Sequence, residues 1–146
     1  MKKYNSIVVT KYLIMLSQFV LFLFTIFLYP ILKFYINLRG YNNITINLLF
    51  SFYLCILIGF YILIILMKLI KNIENKNVFT KENIKYLRYL SWASFIISII
   101  CFISSFYFYL WIFGFFVSFF MGMILRVIKN VFEQAIIIKE ENDFTV

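Results

Sequence analysis

The sequence has no histidine, only two cysteines and only six acidic residues among its 146 residues. Its two longest apolar stretches, residues 40–67 and 89–125, contain no Asp, Glu, Lys or Arg. Proton relays, ion-coupled transporters and intramembrane proteases depend on ionisable groups at depth in the membrane. Metal sites need His, Cys or carboxylate ligands. The composition therefore predicts a protein that is not an enzyme and that uses no metal or cofactor.

Apolar side chains are abundant instead. They make up 64% of the residues, 23% are aromatic, and the mean hydropathy is +0.96, which is too apolar for a soluble domain of this size. Three uncharged runs cover residues 12–32, 40–67 and 89–125. As one helix the third would reach about 55 Å, nearly twice the ~30 Å bilayer core. We therefore expect it to hold two spans with a tight turn near residues 104–106.

The expected fold is an all-α, single-domain membrane protein over residues 1–146, built as a four-helix transmembrane bundle. The predicted spans are 12–36, 44–70, 86–104 and 107–126, with a hairpin at 71–85 and a helical tail at 127–146. Four spans place every Lys and Arg except Lys33 and Arg39 on one side. The positive-inside rule then makes both termini and the hairpin cytoplasmic in a bacterial cytoplasmic membrane. The net charge of +8 indicates anionic lipid at this face rather than direct binding of nucleic acid.

Small and weakly polar residues recur at intervals of three and four within the spans, so that each set shares one helix face. Such faces allow close helix packing, and they serve either within one bundle or between protomers of a homo-oligomer. The same spacing makes the two cysteines packing residues rather than a disulfide or metal site, and Pro30 is expected to kink or end the first helix. The candidate helix-packing residues are Ser51, Cys55, Gly59, Ser94, Ser98, Cys101, Gly114, Ser118 and Gly122.

Spans two, three and four each continue beyond the membrane as a helix with an apolar stripe, which predicts a short cytoplasmic stalk. Thr80 is placed to cap the third helix. In the fourth helix the stripe consists of Ile128, Val131, Phe132 and Ala135, with Lys129 and Glu133 spaced to form an ion pair. Charges on the hairpin and tail either pair with one another or form a docking surface for a cytoplasmic protein.

Two stretches, NIENKNVFTKENIKYLRYL before span three and VFEQAIIIKEENDFTV at the end, resemble a bacterial membrane-protein family, the domain-of-unknown-function family numbered 2975. The chain has Val78 where members often have a proline. The matching positions, together with Val146, are the candidate partner-binding residues Asn77, Phe79, Thr80, Glu82, Asn83, Glu140, Glu141, Asn142, Asp143 and Thr145.

The resemblance implies a partner rather than a reaction. Many members are encoded beside a small helix-turn-helix regulator of the Xre type. We therefore expect a non-enzymatic membrane regulator that binds or tethers such a transcription regulator in a signalling role. The alternative is an immunity protein that protects the cell from a membrane-active peptide, for which the important surface would lie on the spans or outer loop.

Overall fold

The chain forms four long α-helices joined in sequence. The computed structural model describes residues 2–39 and 45–144, with side chains described for 6–38 and 46–142. Each helix is long and apolar enough to cross a membrane, since about 20 helical residues span the ~30 Å core. The prediction of an all-α, four-helix, multi-pass membrane protein is confirmed. The helices are α1 (Lys2–Arg39), α2 (Thr45–Glu74), α3 (Lys81–Ser105) and α4 (Trp111–Phe144).

The helices are longer than the predicted spans. The first begins at Lys2, ahead of the predicted span at residue 12, and the fourth begins at Trp111 and continues past residue 126 to Phe144. Residues 106–110 instead form the expected tight connection between α3 and α4, so the third apolar run does hold two helices. The end of the bundle that contains this connection is called the turn end below.

At the opposite end, the expected hairpin at 71–85 is a shorter connection flanked by helix. Residues 75–80 join α2 to α3, and this end of the bundle is called the hairpin end below. Pro30 lies inside α1, which continues to Arg39. Of the two effects expected of this proline, ending the helix is therefore wrong, in keeping with the tolerance of transmembrane helices for proline.

Consecutive helices pack against one another: α1 on α2, α2 on α3, and α3 most extensively on α4. Among the described residues α1 and α4 share no comparable interface. The central helix α3 is the least apolar of the four and yet the most buried. Lipid tails are as apolar as leucine, so apolar side chains gain little by turning inward, whereas small polar residues do. The buried residues of α3 include Ser91, Ala93, Ser94, Ser98, Cys101 and Ser104.

Two apolar clusters hold the bundle together. Near the turn end, buried leucine and isoleucine side chains of α1 meet those of α2, and aromatic residues of the α3–α4 connection cover them. Near the hairpin end, Ile65 and Leu69 of α2 pack with Leu87 and Leu90 of α3. This second cluster is flanked by Phe132 of α4, so the three expected extensions do meet. The Nζ atom of Lys11 also lies 2.6 Å from a carboxylate oxygen of Glu74, which brings α1 to the same end.

The inward face of the α4 extension differs from the predicted stripe. Phe132 is partly buried as expected, but Ile128 and Val131 are exposed. The buried residue is Ile136, one turn beyond Phe132. The inward face is therefore rotated from the predicted one, because several apolar residues encircle this helix and more than one face satisfies the helical period.

Candidate partner-binding surface

The connection at the hairpin end is organised by the fully buried side chain of Asn83. Its Nδ2 donates to the carbonyl oxygens of Asn77 and Val78, each at 2.7 Å. Its Oδ1 accepts a hydrogen bond of 2.9 Å from Nδ2 of Asn72 on α2. A buried carboxamide with these partners ties the connection to both flanking helices.

Backbone geometry closes the same connection from both sides. Thr80 is the N-cap of α3, since its Oγ1 accepts a hydrogen bond of 3.3 Å from the N–H of Asn83, as predicted from the sequence. Lys76 has a φ of 63°, and the N–H of Asn77 donates to the carbonyl of Asn72 at 3.0 Å. A left-handed residue followed by such a bond is the pattern that ends many helices. The connection between α2 and α3 is therefore an ordered turn.

Glu82 extends this network across the surface. The hydroxyl of Tyr86 donates to its Oε1 at 2.6 Å, and Asn72 donates to its Oε2 at 3.1 Å. Twenty residues counted back from Ser105 begin at Tyr86, so Glu82 lies outside the length that a bilayer core needs. The hydrogen bond from Tyr86, followed by that from Asn72 and the nearby lysine charges, lowers the pKa of Glu82. The carboxylate thus stays ionised at neutral pH.

Ion pairs join α3 to α4 beside this turn. Lys81 lies 3.1 Å from Glu140, and Arg88 lies 3.4 Å from Glu133. Glu133 also accepts from Lys129 at 2.8 Å, which is the predicted pair within α4. The side chains of Lys81, Glu140 and Arg88 are half or more exposed, whereas those of Glu133 and Lys129 are less accessible. Exposed pairs of this kind contribute little to stability. Their effect is to position the end of α4 over the start of α3.

An aromatic side chain is exposed on this turn, and lysines are exposed on the turn and on the two helices that it joins. The ring of Phe79 packs on Phe132 with centroids 5.2 Å apart, yet 48% of Phe79 remains exposed. Five exposed residues at this end are together called the hairpin surface: Lys71, Lys76, Asn77, Phe79 and Lys85. Its positive charge and its apolar ring suit an acidic, partly apolar ligand, whether protein or anionic lipid.

The ten candidate partner-binding residues are used in different ways. Asn83 is buried and Thr80 is a cap, so both shape the turn rather than present free groups. Glu141 and Asn142 are exposed side chains with contacts of their own. Asp143 lies in the helical backbone of α4, and Thr145, like Val146, lies outside the described residues. The remaining members at the surface are Asn77, Phe79, Glu82 and Glu140.

The helix-packing candidates lie mainly between α2, α3 and α4. The carbonyl of the candidate Gly122 on α4 accepts a hydrogen bond of 2.9 Å from Ser91 of α3. A methyl group at Gly122 would lie 2.9–3.1 Å from ring atoms of Phe95, so no larger residue fits there without movement. A methyl group at Gly114 would lie 3.1 Å from the Sγ of Cys101. At Gly59 the nearest atom is a methyl of Leu21 on α1 at 3.4 Å, an ordinary contact.

Other candidates bond within their own helices or are simply buried. The hydroxyl of Ser94 donates to the carbonyl of Leu90 at 3.0 Å. That of Ser118 donates to the carbonyl of Gly114 at 2.6 Å. Ser98 is buried. These hydroxyls thus satisfy local carbonyls or fit where a larger side chain would not.

Two contacts near the turn end were not foreseen. Ser51 of α2, Ser104 of α3 and Tyr107 of the connection join their hydroxyls in one cluster, with Ser104 donating to Ser51 at 2.8 Å and Tyr107 donating to Ser104 at 2.8 Å. The free cysteines Cys55 of α2 and Cys101 of α3 are neighbours across these two helices. The sequence places the serines and cysteines on helix faces but contains no signal for which faces meet.

No three side chains of the metal-ligating types His, Cys, Asp and Glu come together within the part of the chain that the structure describes. The family model described as "Protein of unknown function (DUF2975)" matches residues 4–146. The chain belongs to the DUF2975 family. The resemblance seen in the hairpin and tail sequences is thereby confirmed, and the match covers all four helices of this DUF2975 protein. No curated protein and no solved structure matches it.

Proposed function

We propose that this DUF2975 protein is a non-enzymatic membrane regulator that binds a small cytoplasmic helix-turn-helix transcription regulator at its hairpin surface. The observation that carries the proposal is the half-exposed ring of Phe79 on an ordered turn, at an end of the bundle where Lys71, Lys76 and Lys85 are also exposed. Exposed aromatic side chains are frequent centres of protein interfaces. This ring lies beyond the length of helix that spans the bilayer. Its exposed part is therefore surrounded by water rather than lipid when no partner is bound.

The order of the turn supports binding by lowering its entropic cost. Asn83, Thr80 and Asn72 bond the turn internally, so a partner need not immobilise it. Preorganised surfaces bind more tightly than mobile ones with the same contacts. The lysines supply long-range attraction for an acidic patch and so raise the association rate.

The partner class follows from the family resemblance, and the side of the membrane follows from the charge distribution. Twelve of the 14 Lys and Arg residues belong to the side that carries the hairpin end, which the positive-inside rule assigns to the cytoplasm. A regulator held there is kept from DNA and is released when a membrane event alters the hairpin surface. The Lys81–Glu140 pair at the edge of this surface is exposed and weak enough to exchange for contacts with the partner.

The first test is recovery of the regulator from membranes of the native cell on the tagged protein, with mass spectrometry of what is retained. We expect a small helix-turn-helix protein in stoichiometric amount. Phe79→Ala should weaken its binding by about 2 kcal/mol, or roughly 30-fold in Kd, because the central ring is lost. Lys85→Glu, which leaves the apolar clusters untouched, should reduce recovery as well.

Phe106→Ala is the matched control, since it removes an exposed ring at the turn end. Its recovery of regulator should equal that of the wild type. The unfolding temperature of each variant must be measured beside it, because Phe79 also contacts Phe132. Absence of any small regulator from the wild-type sample contradicts the proposal, as does equal loss with Phe106→Ala.

An apolar groove favours the alternative function, protection against a membrane-active peptide. The groove has a volume of about 390 Å³ and lies between α2 and α3, with Leu57, Tyr61, Tyr89, Trp92 and Ile96 in its walls. Its aromatic walls suit a few apolar side chains of an inserted peptide. Recovery of only lipid and further copies of the chain, together with survival of a peptide-sensitive host that expresses it, supports this alternative.

A further inference from the structure

The outward face of α4 carries apolar residues that repeat every seven positions. The residues of a first series are seven positions apart, and all of them are β-branched. A second series, also seven positions apart, lies between them, so that neighbouring members of the two series are three or four positions apart. All seven side chains are between 53% and 69% exposed. We call these residues the α4 seam: Val117, Ile124, Val131 and Ile138 in the first series, and Phe113, Phe120 and Val127 in the second.

The α4 seam is opposite the face that packs in the bundle. The inward residues include Gly122, which contacts Phe95 of α3, and Ile136, which is buried. Each follows a first-series residue by five positions, close to half a turn away around the helix. The described helices therefore use one face of α4 and leave the other uncovered.

The spacing of the α4 seam is that of a two-stranded coiled coil. A seven-residue repeat keeps one stripe facing a partner when helices supercoil, with a drift of only about 20° per heptad in a straight helix. β-Branched residues at the first core position are a feature of parallel two-stranded coiled coils, although those have leucine at the second core position, where the α4 seam has Phe and Val. Two copies inserted in the same direction satisfy this requirement through a twofold axis along the membrane normal.

Lipid can cover only five of the seven residues of the α4 seam. Twenty residues counted from Trp111 end at Asn130, so Val131 and Ile138 lie beyond the length that a bilayer core holds. In water, covering these side chains with protein is favourable. The α4 seam nevertheless keeps its seven-residue spacing past Asn130, where the bilayer length ends. A single helix interface is expected to continue in this way, whereas a lipid-facing surface followed by a separate partner-facing surface is not.

The charge pattern favours a second copy of the chain as that cover. Two molecules of net charge +8 repel each other unless the surfaces that meet are neutral. From Val127 to Ile138 the charged residues are Lys129 and Glu133, and their pairing with each other and with Arg88 directs them to the α3 side. The outward face of this stretch is uncharged.

Gln134 adds self-complementarity to this face. It continues the second series, seven residues after Val127, and it is exposed. Its carboxamide carries both donors and an acceptor, so it can hydrogen-bond to the same residue of a second copy across a twofold axis. A single polar residue in an apolar seam sets register and the number of strands. Ala135 beside it permits close approach of the two helices.

From these observations we propose that the α4 seam is the interface of a parallel homodimer, with Gln134 facing Gln134 of the second copy beyond the membrane. The interface uses neither the hairpin surface nor the family's implied regulator. Its test can therefore succeed or fail independently of the proposed function.

Disulfide crosslinking in native membranes tests the register directly. Val131→Cys and Ile138→Cys should form disulfide-linked dimers on mild oxidation, because their Cβ atoms would approach to ~4 Å across the axis. Lys139→Cys, one residue off the seam, is the matched control, and the wild type reports any background from Cys55 and Cys101. We expect dimer yields at least about fivefold above the control. Equal yields at all three positions, or none at the seam, overturn the proposal.

A charge placed on the axis provides a second measurement. Gln134→Lys puts two like charges opposite each other and should weaken dimerisation by roughly tenfold or more. Lys139→Glu changes charge off the seam and should leave dimerisation unaltered. Sedimentation in detergent or counting of molecules in lipid nanodiscs measures the dimer fraction. A wild-type monomer at every concentration, or an undiminished dimer for Gln134→Lys, contradicts the assignment.

Discussion

Asn83 illustrates how a polar residue is accommodated at the end of an apolar bundle. Its side chain is fully buried, yet its carboxamide donates to two carbonyl oxygens and accepts from one amide group at 2.7–2.9 Å. A hydrogen bond is worth only about 1 kcal/mol net, but leaving its buried partner without a bond costs more. The stability of the turn therefore depends on this one side chain.

Replacing Asn83 with alanine should destabilise the protein by about 2–3 kcal/mol, because the carbonyls of Asn77 and Val78 lose their shared donor. The unfolding temperature in detergent measures the change. Asn77→Ala is the matched control, since the side chain of Asn77 is exposed, and it should shift stability by less than about 0.5 kcal/mol. Equal effects of the two substitutions would show that Asn83 does not hold the turn.

Single residues also show the limits of the sequence. Thr80 was predictable as a cap because capping depends only on neighbours in the chain. Asn83 matched the family pattern, but the pattern does not say whether a residue contacts a partner or stabilises the turn that presents it. Tyr107 carried no signal at all, since its bond to Ser104 and Ser51 depends on how α2 and α3 are rotated.

Among the helices, α3 and α4 have the most extensive contact. The hydroxyl of Ser91 reaches a carbonyl of α4, and the ring of Phe95 lies where a side chain at Gly122 would project. Small residues of this kind let helix backbones approach in membranes, where van der Waals packing replaces the hydrophobic effect.

Gly122→Ala should separate the two helices and destabilise the bundle by about 1–3 kcal/mol, despite the higher helix propensity of alanine. Gly59→Ala is the matched control, because its new methyl would meet Leu21 at an ordinary 3.4 Å. We expect Gly59→Ala to be neutral or slightly stabilising. Thermal unfolding of both variants in the same detergent checks the difference, and a tolerated Gly122→Ala would mean that Phe95 moves aside freely.

Helix existence was predictable because length and apolarity suffice for it, whereas helix rotation was not. The α4 extension has apolar residues on the face toward the bundle and on the α4 seam, so periodicity alone selects neither. The prediction placed Ile128 and Val131 inside and omitted Ile136. Only the packing of α3 and its ion pairs with α4 determine which face turns inward.

For the whole molecule, the strongest asymmetry is that of charge. The hairpin end carries most of the lysine and arginine residues, whereas the described turn of residues 106–110 has none. Charge bias of this kind sets orientation during insertion. The bundle should therefore have its hairpin end in the cytoplasm.

Labelling of introduced cysteines with a membrane-impermeant maleimide tests this orientation. Tyr109→Cys, at the exposed turn end, should react in intact cells. Asn77→Cys, on the hairpin surface, should react only after the membrane is opened. The wild type controls for Cys55 and Cys101. The opposite pattern of labelling would place the hairpin surface outside and remove any route to a cytoplasmic regulator.

Fold and membrane setting could thus be predicted from the whole sequence, while the partner could not. Apolarity and charge bias are sums over many residues, so a wrong interpretation of any one residue does not change them. A partner is selected by the shape of a few exposed groups, such as Phe79 and its lysines, and that shape is compatible with many acidic surfaces.

The burial of the least apolar helix has a consequence for how the protein is made. A nascent α3, with its four buried serines, partitions into lipid less readily than the helices on either side. Only residues 106–110 separate it from α4, so both helices can leave the translocon as one hairpin. Ser91 can then donate to the carbonyl of Gly122 as soon as synthesis of the chain has passed residue 122. Biogenesis, and not only the finished bundle, would therefore depend on the fit between α3 and α4.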